Sequence, residues 1–222
     1  MPRTSSKPKK TATSSRDGDT EQRILDAAHA VFARHGTAGA RMQDIAKEAR
    51  VNQALLHYYF RSKARLSDAV FLRAAAQLMP QVIQVMASDL TLADKVKRVV
   101  HLELDHLLRT PYLPGYIISE LHHHPERLRQ LASSLTGLAP EDLRQRVIGK
   151  LKQQLDAGAR AGRIRHIAAD QFMVNIMSLC IFPFAARPMI ATVLGLDQDG
   201  FERFIHERRD QLVAFCLGAM RP

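Results

Sequence analysis

Between Asn52 and Lys63 the chain sets out an amide, an imidazole, two phenols and an ammonium: Gln53, His57, Tyr58, Tyr59 and Lys63. Small, polar and aromatic side chains exposed on one short helix are what a reader of a DNA groove needs. Amides and imidazoles hydrogen-bond base edges, and phenols and amines hold phosphates. Catalysis finds no comparable set. There is no Gly-rich phosphate loop, no nucleophile elbow and no CxxC pair, and Ser119, Glu120 and His122 point in different directions on a helix.

The elements that must position these groups are legible around them. Met42, Ile45, Ala46 and Ala49 lie three or four residues apart and predict one face of a short helix. Arg50, Val51 and Asn52 interrupt that period, and Asn52 suits the start of a second helix, where its side chain accepts a backbone N–H bond. Val51, Leu55, Leu56, Tyr59 and Phe60 then turn inward, leaving Gln53, Ala54, His57 and Tyr58 outside. Ser62 can cap a third helix with Lys63 in its first turn, where free N–H groups favour a phosphate. The pattern is a helix–turn–helix running directly into a further helix.

At Thr20–Leu66 the chain resembles the DNA-binding domain of the TetR (tetracycline-repressor) family of bacterial regulators. The matching segments are ILDAAHAVFARHG, DIAKEA, LLHYYF and SKARL, each taken as one helix or its opening. The resemblance implies groove contacts from Gln53, Ala54, Leu55 and His57, and phosphate contacts from Tyr58, Tyr59 and Lys63, with Arg41 near the backbone at the start of the second helix. It departs from the common pattern in the order His57-Tyr58-Tyr59-Phe60. Ala40 and Arg41 also replace the usual small hydroxyl residues, and Ala64 and Arg65 a frequent acid. It further implies pairing through the C-terminal helices, a palindromic operator in double-stranded DNA, and a small-molecule effector bound in the C-terminal domain.

Composition agrees. Of 222 residues, 46% are apolar, enough for a sizeable core, and good helix formers dominate while strand signals are scarce. The fold class expected is all-α: an N-terminal three-helix reader followed by a larger helical ligand-binding and dimerisation domain. Residues 1–66 hold 13 Lys and Arg against 6 Asp and Glu, so most of the net charge of +10 sits beside the reader. Residues 1–17 are expected to be a disordered basic arm, 18–78 the DNA-binding domain with Thr20 capping its first helix and Gly36 ending it, and 79–222 the effector and dimer domain.

Further helices are expected at 62–79, 91–109, 115–122, 125–136, 140–161, 167–187 and 200–219. In the last two, Phe172, Ile176, Leu179 and Pro183 form one stripe, and Phe201, Phe204, Ile205, Leu212, Phe215 and Leu217 another. These stripes either meet a second copy or complete the monomer core. Met79, Met86, Tyr112, Tyr116, Met173, Met177, Phe182 and Phe184 are the candidates for an adaptable apolar pocket, flexible thioethers and rings being suited to one.

No metal or cofactor is expected. His122, His123 and His124 diverge by about 100° each on a helix, and His101 and His106 miss the i,i+4 spacing of a chelating pair. Cys180 and Cys216 read as buried reduced thiols of a cytoplasmic, nucleoid-associated protein. No secretory leader or membrane span is expected either: the most apolar stretch, 176–186, is about half the ~20 residues of a span. An effector-independent DNA-binding protein and a metal-dependent sensor or enzyme remain as alternatives.

Overall fold

The computed structural model describes residues 12–118, 133, 134 and 136–222. Their regular structure is helical throughout, in agreement with the all-α expectation. Two compact units meet in sequence between Val70 and Phe71, rather than at the expected 78/79.

The first unit holds α1 (Ala12–Gly39), α2 (Met42–Glu48), α3 (Gln53–Phe60) and the opening of α4 (Lys63–Ala87). Ile24, Ala28, Val31 and Phe32 are buried on the inner face of α1, where Ile45, Ala46, Leu56 and Phe60 are buried on α2 and α3. Two expectations need correction. The arm is not irregular up to residue 17, and Thr20 is not the cap, because α1 is already helical at Ala12. No proline interrupts 12–19, and each residue added to an existing helix gains a hydrogen bond without a new nucleation cost. Arg3, Lys7, Lys9 and Lys10 lie outside the described residues. Gly36 breaks the helix as expected, with non-helical φ 67° and ψ 168°, and a short helical stretch to Gly39 follows the kink. That backbone angle is one that only glycine adopts without penalty.

The second unit contains α5 (Leu92–Arg109), α6 (Leu113–Tyr116), α7 (Pro140–Arg144), a π-helical turn (Gln145–Gly149), α8 (Lys150–Arg160), α9 (Ala169–Ala185), α10 (Arg187–Leu194) and α11 (Gln198–Gly218). Helix α5 starts where Thr91 Oγ1 accepts the Asp94 N–H at 3.1 Å. Helix α11 starts where Asp197 Oδ1 accepts the Gly200 N–H at 2.7 Å. Lys95, on the buried side of α5, donates to the Met86 carbonyl at 2.7 Å and so satisfies the open C-terminal turn of α4. Burial lowers its pKa first, and the neighbouring Lys150 adds to this.

Val96, Val99, Val100 and Leu104 of α5 join Leu151 and Leu155 of α8, Ile176 and Cys180 of α9, and Phe201 and Ile205 of α11 in one core. Each fully buried aliphatic side chain there contributes about 1.5–3 kcal/mol of transfer free energy. The segment expected at 140–161 is present but interrupted by the π turn. Helix α10 had no counterpart in the sequence reading, and the helix expected at 125–136 falls almost wholly outside the described residues. Helix α4 is apolar and long enough for a bilayer, with mean hydropathy 1.2 over 18 residues. It nonetheless carries Asp68 and Arg73 and buries Val82, Val85 and Met86 in the protein core.

The stripes expected to meet a partner are corrected here. Phe172, Ile176, Phe201, Ile205 and Leu212 are buried within their own chain, and Leu179 and Phe204 are half-buried against the same core. The most apolar stripe of each helix was taken by the nearest available surface, which is intramolecular. Of the predicted set only Phe215 is freely exposed, at 63%.

Candidate nucleic-acid interface

The turn between α2 and α3 is built from backbone hydrogen bonds. Arg50 has a positive φ of 54°, its N–H donates to the Lys47 carbonyl at 3.1 Å, and the Val51 N–H reaches the Ala46 carbonyl at 3.0 Å. This closes the open end of α2 and redirects the chain. Arg23 of α1 secures the same corner by donating from Nη2 to the Ala49 carbonyl at 2.9 Å. The sequence reading missed this clamp; an arginine three residues past the Thr20 cap position gave no local sign of a partner 26 residues away. Asn52 behaves as expected, its Oδ1 accepting the Leu55 N–H at 2.7 Å. Asn52→Ala should cost about 1 kcal/mol in urea unfolding of this unit; an unchanged midpoint would show that the cap is dispensable.

Helix α3 is held by Leu56 and Phe60, both buried, and presents Gln53, Ala54, His57 and Tyr58 to solvent. Tyr58 is 78% exposed, its ring meeting only that of Tyr59, edge to face at 5.5 Å, among the described residues. Leu55 is half-buried at the edge of the outward face. The His57 ring nitrogen Nδ1 lies 3.3 Å from the Arg61 carbonyl, which leaves Nε2 pointing away from that contact. Tyr59 turns sideways: its hydroxyl donates to Asp17 Oδ1 at 3.2 Å. Burial and then the Asp17 carboxylate hold the Tyr59 phenol above its ordinary pKa, so it remains a donor.

Ser62 caps α4 by accepting the Arg65 N–H at 3.2 Å. Lys63 is placed in the first turn as expected, but its Nζ already donates to the Ala38 carbonyl at 2.9 Å. It therefore ties the end of α1 to the start of α4, and only its remaining N–H donors are available to a phosphate. Arg41 stands at the start of α2 without a side-chain cap bond, exposed, as are Arg50, Arg61 and Arg65. These four exposed guanidiniums flank α2 and α3 along the chain and give this unit the sign of charge that a polyanion requires.

The other candidates separate. Met86 and Met173 come together at one narrow apolar cleft, while Tyr116 is stacked on Phe71 at 5.2 Å and Phe184 meets Phe201 edge to face at 5.6 Å. Tyr112 is buried, which pushes its phenol pKa up, and Met79 is half-buried. Met177 and Phe182 are corrected: they lie on the exposed side of α9, because positions 173, 176, 180 and 184 take the inner face. His101 Nε2 lies 3.3 Å from Asp210 Oδ1, and His106 is buried. Among the described residues no three His, Cys, Asp or Glu side chains converge for a metal. Ser119, Glu120 and His122–His124 lie outside the described residues. Both cysteines are buried, as expected.

Two family models match. One, described as bacterial regulatory proteins, tetR family, covers residues 24–70, and one described as a tetracyclin repressor-like C-terminal domain covers residues 93–214, more than half of the chain. The transcriptional repressor NicS of Pseudomonas putida is 28% identical over 195 residues, spanning 85% of this chain and 87% of that protein. The transcriptional repressor SCO4008 of Streptomyces coelicolor is 33% identical over 123 residues, but the match spans only 62% of its length. Among solved structures, the putative transcriptional regulator SCO4942 of Streptomyces coelicolor superposes with a TM-score of 0.56 at 26% identity, over 91% of this chain and 99% of the other.

Proposed function

Since the chain belongs to the tetR family of bacterial regulatory proteins, and is a DNA-binding transcriptional regulator, we propose that it works as a homodimeric repressor released by a small molecule. The observation that carries this reading is the outward face of α3. Gln53, Ala54, His57 and Tyr58 are exposed, while the buried Leu56 and Phe60 fix the helix that bears them. Two such helices, related by a twofold axis, would enter successive major grooves of a palindromic operator. Arg41, Tyr58, Tyr59 and the free donors of Lys63 would hold the phosphates, and Leu55 would contribute an apolar edge.

The pairing surface in this proposal is the exposed side of the two long C-terminal helices. Val174, Met177 and Phe182 stand out from α9 and Phe215 from α11, all large and apolar. The effector would act from the second unit, and only a difference in its affinity for the bound and released forms could drive release.

Footprinting by the purified protein, beginning upstream of its own gene, tests the whole reading; failure to protect any duplex at low salt would end it. With an operator in hand, Gln53→Ala should relax discrimination at one base position by about 1–3 kcal/mol. Equal weakening on every sequence would remove Gln53 from base reading. Lys63→Ala should instead weaken all sequences alike and reduce the salt slope by about one phosphate. An unchanged slope would leave Lys63 with its Ala38 bond alone.

A further inference from the structure

Along α5 and α9, successive turns face each other in step. Val96 and Val99 of α5 line the narrow cleft with Phe172, Met173 and Ile176 of α9; Met86, Leu92 and Leu151 close it, and Lys95, its ammonium spent on the Met86 carbonyl, lies at the end two turns from Glu103. The space inside is about 10 Å³, the room of a single water. One turn beyond Val99 stands Glu103, and one turn beyond Ile176 stands Cys180, whose thiol is hydrogen-bonded to the Glu103 carboxyl. Glu103 is 9% exposed, and its Oε2 has no hydrogen-bond partner among the described residues. The groups that act on it are the surrounding apolar burial and the thiol; Arg208 acts on that thiol in turn, and His106 is buried one turn further along α5. A carboxylate in such a place is normally matched by a positive charge or a donor.

We infer that the effector is a small organic ammonium whose N–H donates to Glu103 Oε2 while its apolar body enters the cleft beside Met86 and Met173. This rests on the ligand response proposed above. The chemistry of the site selects the class. A carboxylate ligand would meet Glu103 as a like charge, and a neutral alcohol would leave the charge uncompensated. A bare metal ion would find one carboxylate and one protonated thiol where it needs three or more ligands. The two methionines are the parts of the wall that can give, because an unbranched thioether repacks at little cost. Opening the cleft must separate α5 from α9, and α9 also carries Val174, Met177 and Phe182 of the proposed pairing face. Occupancy and the spacing of the two readers are thereby linked through one helix.

The test uses the full-length protein and isothermal titration at pH 8 with n-hexylammonium, hexan-1-ol and hexanoate. The ammonium should bind at least tenfold more tightly than either of the others, and Glu103→Gln should remove at least tenfold of that affinity. The wild-type protein supplies an independent arm that does not depend on how the variant folds. Hexylammonium stays charged between pH 6 and 8, whereas the Glu103 carboxyl, pushed by burial to about 7, changes state. Affinity should therefore fall roughly tenfold from pH 8 to pH 6, with a proton released to buffer on binding at the lower pH. Equal binding of alcohol or hexanoate, full affinity in the Gln variant, a flat pH profile, or no ammonium signal each overturns the inference. Operator binding without additive is measured alongside: its absence would defeat the regulator reading, whereas its presence with a failed ammonium arm defeats this inference alone.

Discussion

Phe182→Glu combined with Phe215→Glu should leave the protein monomeric by sedimentation while its far-ultraviolet spectrum stays that of the wild type. Both side chains are exposed on the monomer, so the charges cost its core nothing, whereas in a pairing surface two carboxylates per copy would be buried without partners. The consequence for DNA is larger than for assembly. A single α3 reaches few base pairs, and the second reader of a dimer binds at a high effective concentration once the first is seated. Losing that linkage should weaken a full palindromic operator by on the order of 100-fold or more, while a half-site is bound as before. A double variant that still sediments as a dimer would place the pairing surface elsewhere. A monomer that keeps full operator affinity would remove the need for pairing altogether.

This choice of residues shows where sequence reading reached its limit. In the first unit α2, α3 and the opening of α4 are legible nearly to the residue, because α2 and α3 are short and α3 and α4 carry their own start signals, whereas the start of the long α1 is not. Asn52 and Ser62 both cap as expected, and the split between Leu56 and Phe60 inside and Gln53 and His57 outside follows from local spacing alone. The second unit obeys the same periodicities, but its long helices carry apolar residues on more than one face. Spacing identified the stripe Phe172, Ile176 and Phe201, Ile205, Leu212 correctly as a contact surface. It could not say that the contact is with α5 and α8 of the same chain rather than with a second copy, since both bury the same kind of surface. The chemistry of Met177 and Phe182 points inward, but the turn geometry of α9 puts Phe182 opposite Met173 and Cys180, and Met177, on the flank of the buried face, is left exposed. Lys63 was legible as a first-turn cation, but not its bond to Ala38, which depends on where a loop 25 residues earlier comes to rest. Nothing in the neighbours of Glu103 along the chain distinguishes it from a surface carboxylate, and its isolation is a product of packing by α9 and α11.

That isolation makes Glu103 the residue through which pH should act on stability. Its carboxyl is raised from 4.5 to about 7, chiefly by burial, with the Cys180 hydrogen bond opposing in a smaller measure. The folded protein therefore holds this proton more tightly than the unfolded chain does. Stability from this group is fully present below about pH 4.5, declines as pH rises through 7, and is flat above that. A shift of this size corresponds to on the order of 3 kcal/mol between the two ends of the window. Glu103→Gln keeps the shape and cannot ionise, but its buried amide leaves hydrogen bonds unmade at about 1 kcal/mol. The variant should thus be more stable than the wild type by about 2 kcal/mol at pH 8, a gain of several degrees in the melting temperature for a unit of this size. At pH 4.5 the advantage should vanish or reverse, because the wild-type carboxyl is then protonated and retains its thiol bond. Cys180 sharpens the comparison: burial first, and then the Glu103 charge, push its thiol pKa up, so it stays a protonated donor across the whole range and contributes no slope of its own. Thermal melts of both proteins at intervals between pH 4.5 and 8.5 decide the matter. Parallel curves would mean that Glu103 does not change its protonation state in this range, and would overturn the assignment.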